Sequence, residues 1–273
     1  MPPLALSFAL AAAFLHAFWN LLLARARDIE SATAVALVAA VVVFAPVTAA
    51  TWRAESRVWP FIAVTSMLQL LYFGLLTTAY RRSELSVVYP LARGLAPVLV
   101  LVVGAAVLAE ATSAAQVVGV CLVAAGVLLV RGLRRPSGSS GVRWGLAIAA
   151  TIAAYTLLDK HGIRYAAPIT YLELSMVPSA VGYAGVVLAV KGRAQLRAEL
   201  GVPAIAAGLA SFGAYALVLA ALARASAASV AAVRETSIVI ATALAAPLLR
   251  ERVGPARLAG AVLVAGGIAL LGL

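Results

Sequence analysis

The chain has 273 residues, of which 64% are hydrophobic and only 11% are charged, and its mean hydropathy is +1.05. Soluble domains are roughly half apolar and a quarter charged, so this composition excludes a soluble globular protein. The net charge of +11 comes from basic residues that stand singly or in pairs between apolar runs. This pattern is typical of helix ends at a membrane surface rather than of a nucleic-acid-binding stripe, so we expect no nucleic-acid partner.

Ten apolar runs follow one another along the chain, and each is long enough to cross a bilayer. They lie, within a few residues, at 4–24, 31–51, 58–80, 85–109, 113–131, 143–160, 167–190, 202–223, 227–249 and 255–272. No basic segment precedes the first run and no clear cleavage site follows it, so we interpret it as a retained span. The sequence therefore predicts an all-α integral membrane protein with ten transmembrane helices and both termini on one side.

The longest polar break, at 132–142, stands almost at the midpoint and has the composition of a flexible linker. It predicts a first five-helix repeat at 1–131 and a second at 143–273. Four residue pairs match at an offset of 141: Arg93 with Arg234, Glu110 with Glu251, Gly119 with Gly260 and Gly126 with Gly267. An odd number of spans in each half forces the halves into opposite orientations, which is the inverted-repeat architecture of many carriers. The paired glycines predict close packing by the fifth and tenth helices in a scaffold role.

Several short segments resemble a known family. They are His16-Ala17-Phe18-Trp19-Asn20, Tyr89-Pro90-Leu91-Ala92-Arg93-Gly94, Pro97-Val98-Leu99-Val100, Ala125-Gly126-Val127, Leu249-Arg250-Glu251-Arg252 and Ala265-Gly266-Gly267-Ile268. In these segments the chain is similar to EamA-like proteins of the drug/metabolite transporter superfamily, over essentially its whole length. The resemblance implies transport of amino acids, metabolites, drugs or nucleotide sugars without choosing among them. The second copy departs from the first at Ile238 and Ala245, where the first has Pro97 and Gly104.

The orientation of the termini stays open. Connections after odd-numbered helices carry 14 Lys and Arg residues, and those after even-numbered helices carry 5. By the positive-inside rule this difference places both termini outside. The family resemblance implies cytoplasmic termini instead.

Polar side chains inside the apolar runs are candidates for function, because a charged group in hydrocarbon costs about 2.5–3.5 kcal/mol on insertion scales. The candidate substrate-binding residues are His16, Trp19, Asn20, Gln69, Tyr72, Tyr89, Arg93, Tyr155, Tyr215 and Arg234. We expect the aromatic members to line a central polar cavity and to favour an amphipathic or aromatic ligand. The alternatives are inter-helix bonding by His16 and Asn20 and an interfacial place for Trp19. Asp159 directly precedes Lys160 at the end of the sixth run, so we expect a surface pair there.

Arg93 and Arg234 form the sharpest hypothesis, a pseudo-symmetric pair that faces the interior and takes part in transport. Two like charges repel strongly in a low dielectric, so each needs an anion or another acceptor. Glu173 and Glu235 are the available carboxylates and the candidate coupling residues, and Glu235 could meet Arg93. A substrate carboxylate or phosphate could complete the set, and a purely structural clamp is the alternative.

Enzyme motifs are missing from the sequence, which has no His-Glu-x-x-His, no Gly-x-Ser-x-Gly and no Walker loop. We therefore expect no enzyme and no cofactor, and with only His16 and His161 as histidines we expect no metal site. Our hypothesis is a secondary transporter of the cell membrane, an exporter of a small metabolite, amino acid or amphipathic compound by alternating access. The alternative is a non-catalytic membrane partner or lipid-translocation subunit of a complex. A carrier needs polar groups from both halves to converge, whereas a scaffold does not.

The expected partners are a small-molecule substrate and the lipid bilayer. A homodimer is kept as an open alternative to a monomer.

Overall fold

The computed structural model describes residues 1–82, 85–131, 139–249 and 254–272. The helices are α1 (Pro3–Leu23), α2 (Ile29–Ala50), α3 (Trp59–Arg82), α4 (Leu85–Leu108), α5 (Ala114–Arg131), α6 (Ser139–Gly162), α7 (Pro168–Ala198), α8 (Val202–Leu222), α9 (Ala227–Arg234), α10 (Thr236–Leu249) and α11 (Pro255–Gly272). In the described part of the chain, eight helices are long and apolar enough to cross a membrane, and α5 is a shorter apolar helix. The predicted all-α membrane fold is confirmed, with α9 and α10 sharing the ninth predicted run.

The two halves pack onto each other with a pseudo-two-fold pattern. Helix α1 packs against α8, and the equivalent helices α6 and α3 pack in the same way. Three further contacts join a helix to its own counterpart: α2 with α7, α4 with α9, and α5 with α11. Each half therefore buries its helices mainly against the other half, and the interior of the bundle is built from both repeats.

Glycines set the closest of these contacts, between α5 and α11. A Cβ atom added at Gly126 would lie 2.6 Å from the Gly260 carbonyl oxygen, and one added at Gly260 would lie 2.6 Å from the Gly126 oxygen. Gly119 and Gly267 meet in the same reciprocal way, at 3.0 and 2.7 Å. Any side chain here would force the backbones apart, so these four glycines are needed for the contact.

The ninth predicted run is broken where the fourth is continuous. Helix α4 runs as one helix through both Pro90 and Pro97. In the second half, α9 ends at Arg234 and α10 begins at Thr236, with Glu235 at the joint. The Glu235 amide donates to Ala232 in an i to i−3 bond, a local tightening that often marks a functional position in a helix.

Helices α2 and α7 are tied together at both ends. At one end the segments before α3 and α7 pair as a short bridge, in which the Glu55 amide donates to Tyr165 and the Ala167 amide donates to Arg53. At the other end Lys191 Nζ lies 2.5 Å from Asp28 Oδ2 and 2.6 Å from Glu30 Oε2. Helix α7 reaches beyond its predicted end at 190 and is interrupted by Gly192, whose φ of 80° favours glycine.

The outer surface of the bundle is apolar. Large hydrophobic side chains such as Val107, Val202 and Val262 are 73%, 80% and 70% exposed. Exposed aliphatic residues of this kind are expected where lipid, and not water, is the neighbour. The apolar excess noted in the composition is therefore on the surface of the bundle.

Candidate functional site

Arg93 and Glu235 form a buried ion pair between the two repeats. Arg93 lies on α4 of the first repeat and Glu235 at the α9–α10 joint of the second, and their side chains are 6% and 5% exposed. Arg93 Nε lies 3.0 Å from Glu235 Oε2. A second guanidinium nitrogen of Arg93 is 3.3 Å from His16 Nε2 on α1 and 3.5 Å from Ser237 Oγ on α10.

The chemistry of arginine sets the state of its neighbour His16. A guanidinium group only donates hydrogen bonds, so His16 Nε2 accepts and the ring proton is on Nδ1. A neutral imidazole also avoids placing a second cation beside Arg93. One acid and one hydroxyl from the second repeat and one imidazole from the first therefore surround this guanidinium.

Arg234, the repeat partner of Arg93, has a different environment. Its side chain is buried at the end of α9, and the guanidinium lies over the ring of Tyr215 on α8, 5.4 Å from the centroid. Within the described residues no carboxylate lies within ion-pair distance of Arg234. A cation over an aromatic face is stabilised by the ring quadrupole, but that contact leaves its N–H donors available.

Three tyrosines extend the site from Arg234 across the bundle. The rings of Tyr215 and Tyr155 meet edge to face at 6.3 Å, and Tyr155 meets Tyr72 in the same way at 6.3 Å. These tyrosines come from α8, α6 and α3, so both repeats contribute. The row provides apolar ring surface beside the buried arginines.

Asp159 was missed as a site residue, and the expectation that it forms a surface pair with Lys160 is wrong. Asp159 is fully buried and accepts hydrogen bonds from Thr65 and Tyr171, both at 2.9 Å, and from the Tyr215 hydroxyl. Lys160 points to the end of α8, where Nζ donates to the carbonyl groups of Leu222 and Ala225. Helix α6 continues to residue 162 and packs inside the bundle, so a position at the end of the apolar run is still interior.

Gly162 makes room for this arrangement. A Cβ atom at Gly162 would lie 2.3 Å from the ring of Tyr171. The missing side chain lets Tyr171 lie against the end of α6 and direct its hydroxyl to Asp159. The sequence signal that could have revealed Asp159 was the alignment of Asp159 with Tyr155 and Thr151 on one stripe of α6.

The predicted site residues of α1 share one helix face, but their side chains make different contacts. The rings of His16 and Trp19 meet edge to face at 5.0 Å, and Trp19 packs against a small apolar cluster with Leu23 and Ala207. Asn20 donates from its side-chain amide to the His16 carbonyl oxygen at 2.7 Å. His16 therefore joins the Arg93 cluster, and Asn20 bonds its own helix.

Gln69 lies at a separate polar contact between α3 and α7. Its side-chain oxygen accepts from Ser179 Oγ at 3.3 Å, and Ser66 Oγ donates to the Ser175 carbonyl at 3.0 Å. Such hydroxyl and amide contacts join helices in an apolar medium. Gln69 is thus a helix-joining residue in this structure, away from the Arg93 and Arg234 contacts described above.

Two candidates have fewer contacts. Glu173 on α7 is buried, and its Oε2 atom has no hydrogen-bond partner among the described residues. Tyr89 lies in α4, but its side chain falls outside the described part of the structure, as does Glu251. The described residues hold no group of His, Cys, Asp and Glu side chains that could bind a metal ion.

Comparison with known proteins identifies the fold and the family. The model of the EamA-like transporter family matches the chain twice, at residues 3–132 and 139–273. Among solved structures, one titled only as a crystal structure of protein superposes with a TM-score of 0.78 over 98% of each chain. Its sequence identity is 16%, so this likeness concerns the fold alone. The search of curated proteins finds no match.

Proposed function

The chain belongs to the EamA-like transporter family, and from that premise we propose that it is a secondary transporter of the cell membrane. It exports a small amphipathic compound that carries a carboxylate, by alternating access between the two sides. The family is one of transporters and points away from catalysis.

One observation carries this proposal: charged and polar side chains from both repeats converge inside the bundle. Arg93 and His16 of the first repeat meet Glu235 and Ser237 of the second. A scaffold subunit does not require such convergence, since packing in lipid can rest on small apolar residues alone. A carrier needs it, because its substrate site forms between repeats.

Arg234 is the residue that we assign to the substrate carboxylate. Arg93 already has Glu235 as its counter-ion at 3.0 Å, whereas Arg234 has an aromatic face and no carboxylate in ion-pair range among the described residues. A substrate carboxylate would complete that charge balance. The neighbouring rings of Tyr215, Tyr155 and Tyr72 would take the apolar part of the ligand.

The first test identifies the substrate. Cells with and without the chain are compared by metabolite profiling of the medium, and an amphipathic carboxylate is expected to accumulate outside cells that have it. Counterflow in proteoliposomes, with a mixture of tritiated amino acids as the first probe, then measures exchange directly. Equal profiles together with no exchange of any probe would contradict the proposal.

The second test separates the two arginines. We expect Arg234→Lys to lower counterflow about 10- to 100-fold, because a charge-assisted hydrogen bond contributes about 1.5–3 kcal/mol and each 1.4 kcal/mol is tenfold. Arg93→Lys is expected to act mainly on stability. Arg224→Lys is the matched control, since Arg224 is exposed at the end of α8. If Arg93→Lys and Arg234→Lys both fold, insert and transport like the parent, the functional claim is wrong.

A further inference from the structure

We propose that Asp159 is the proton site that couples this transporter to a proton gradient. Its carboxylate takes a proton from water on one side of the membrane and returns the same proton to water on the other side as the protein alternates. This inference rests on the proposed transport function. It replaces Glu173 and Glu235 as the coupling residue and places coupling beside the substrate site.

Hydrogen counting around Asp159 carries the argument. Three oxygens form a triangle, Asp159 Oδ1, Thr65 Oγ1 and the Tyr171 hydroxyl, with all three separations at 2.9 Å. Each hydroxyl has one hydrogen to donate, so with an ionised Asp159 only two of the three edges can be hydrogen bonds. A proton on Asp159 fills the third edge, since each oxygen then donates once and accepts once around the ring.

The charge environment agrees with this count. Asp159 is fully buried, and in the described part of the chain no cation lies within ion-pair distance of it. An ionised carboxylate buried without a cation carries a large desolvation cost, and a bound proton removes that cost. The donors around Asp159 are therefore neutral, and they can hydrogen-bond to its carboxyl group in both the ionised and the protonated form.

The titratable and charged groups around Asp159 are few. Tyr171 of α7 and Tyr215 of α8 bond to it directly, and Tyr155 lies one turn earlier on α6. From α9, the Arg234 guanidinium lies over the Tyr215 ring, and from α4, Arg93 is engaged by Glu235. Lys160, next in the sequence, is turned away to α8 carbonyl groups.

Tyr215 provides the physical link between proton and substrate. Its hydroxyl donates to Asp159 Oδ2, and its ring lies beneath the Arg234 guanidinium. Protonation at Oδ1 leaves Oδ2 as a neutral acceptor, which holds the Tyr215 hydroxyl more weakly than an ionised carboxylate does, and so loosens the ring on which Arg234 rests. One side chain thus separates the proton site from the proposed carboxylate site.

The rival carboxylates fit this role less well. Glu235 is held by Arg93 at 3.0 Å, so a proton on Glu235 would leave a buried guanidinium without its counter-ion. Glu173 has one oxygen without a hydrogen-bond partner among the described residues and no described contact with either arginine. The test must therefore be able to show if Glu173, and not Asp159, binds the proton.

Infrared titration of the purified full chain tests proton binding without any substrate. A protonated carboxyl group shows a C=O stretching band that disappears when it ionises. Exposed carboxyl groups ionise near about pH 4, so the informative band is one that is still present above that range. We expect the wild type to show such a band, Asp159→Asn to lose it, and Glu173→Gln to keep it. A band that persists in Asp159→Asn, or one that disappears only in Glu173→Gln, overturns the proposal.

Two further variants keep the test valid if Asp159→Asn does not fold. Tyr215→Phe and Thr65→Val retain the carboxyl group but remove one hydroxyl donor each. We expect both to shift the frequency of the titrating band, because the hydrogen bonding of that carboxyl changes. An unshifted band in both variants would show that the titrating group is elsewhere.

The coupling itself is measured in proteoliposomes with imposed pH gradients of both signs. The probe is the compound that exchanges in counterflow, or the tritiated amino acid mixture if none has been identified. We expect Asp159→Asn to exchange the probe in counterflow but to lose gradient-driven accumulation entirely. Retained gradient-driven accumulation contradicts the proposal, whereas wild-type chain that exchanges no probe contradicts the proposed substrate class and leaves the infrared result to decide the proton site.

Discussion

At the scale of single residues, each buried charge needs polar partners, because an uncompensated charge in an apolar interior is costly. Arg93 and Arg234 stood out because a charge inside a long apolar run is costly, and both are buried in the structure. The place of Asp159 at the end of a run, beside Lys160, predicts a surface position, yet Asp159 is fully buried. Sequence spacing gives the face of a helix but not the depth at which neighbouring helices enclose it, so the three hydroxyl donors to Asp159 were not predictable.

The Arg93–Glu235 pair yields a prediction at the same scale. Removing one partner of a buried ion pair typically costs about 3–5 kcal/mol, because the other charge is left without compensation. We therefore expect Arg93→Met and Glu235→Gln each to lower the Tm in detergent clearly, and the double variant to lose less than the sum of the two. Strictly additive losses in the thermal melts would show that the 3.0 Å contact is not a coupled pair.

At the scale of helices, the apolar runs predicted the elements but not the break within the ninth run. Helix α4 is continuous through Pro90 and Pro97, whereas the break is at Glu235 in the second repeat, where the sequence has no proline. The break brings Glu235 to Arg93, and a discontinuous helix at a repeat interface is a recurrent feature of carrier binding sites. The cause is tertiary packing, which local sequence patterns do not report.

The glycine contact between α5 and α11 supplies a matched pair of substitutions on one helix. A Cβ at Gly267 would lie 2.7 Å from the Gly119 carbonyl oxygen, while a Cβ at neighbouring Gly266 meets nothing within 4 Å. We expect Gly267→Ala to destabilise the protein by about 1–3 kcal/mol through overpacking, and Gly266→Ala to be neutral. Thermal melts in detergent compare the two, and equal effects would mean that close helix approach is not what these glycines provide.

The tie between α2 and α7 gives a dependence on pH. Partial burial of Asp28 acts to raise the pKa of its carboxyl group, but hydrogen bonds from Lys191 and Ser31 outweigh this and lower the pKa overall. The contribution of Asp28 to stability is then fully present above the ordinary aspartate pKa of about 3.9 and is lost as pH falls through the lowered value. We expect the Tm difference between wild type and Asp28→Asn to shrink in that acid range, and a difference that is constant with pH would contradict this account.

At the scale of the whole molecule, the repeat offset of 141 predicted the architecture more fully than any local pattern. Matched arginines and glycines in a low-complexity background were enough to infer two inverted halves, and the helices do pack in pseudo-two-fold pairs. The asymmetry between the halves was harder to foresee. The position equivalent to Glu235 is Gly94, which packs against Leu128 of α5, so one repeat supplies the acid and the other supplies only space.

Pairs α2–α7 and α5–α11 are fastened by ion pairs, a backbone bridge and glycine contacts. The polar network joins α1, α3, α4, α6, α8, α9 and α10, and it reaches α7 through Tyr171, which bonds to Asp159. The fastened helix pairs are therefore connected to the polar site and are not separate from it.

An even number of crossings places both termini on the same side, and this is the most direct check on the molecule as a whole. Reporter fusions that are active on only one side of the membrane, placed at each end of the full chain, are expected to give matching signals. Ten crossings require this because each repeat crosses five times and the second begins where the first ends, on the far side. A reporter pair at the connection 132–138 is the internal control and should report the opposite side.

Matching signals will also choose between the orientation favoured by the charge count, 14 basic residues against 5, and the orientation implied by the family. Opposite signals from the two ends would remove the ten-span arrangement, and with it the inverted symmetry on which the paired roles of Arg93 and Arg234 depend.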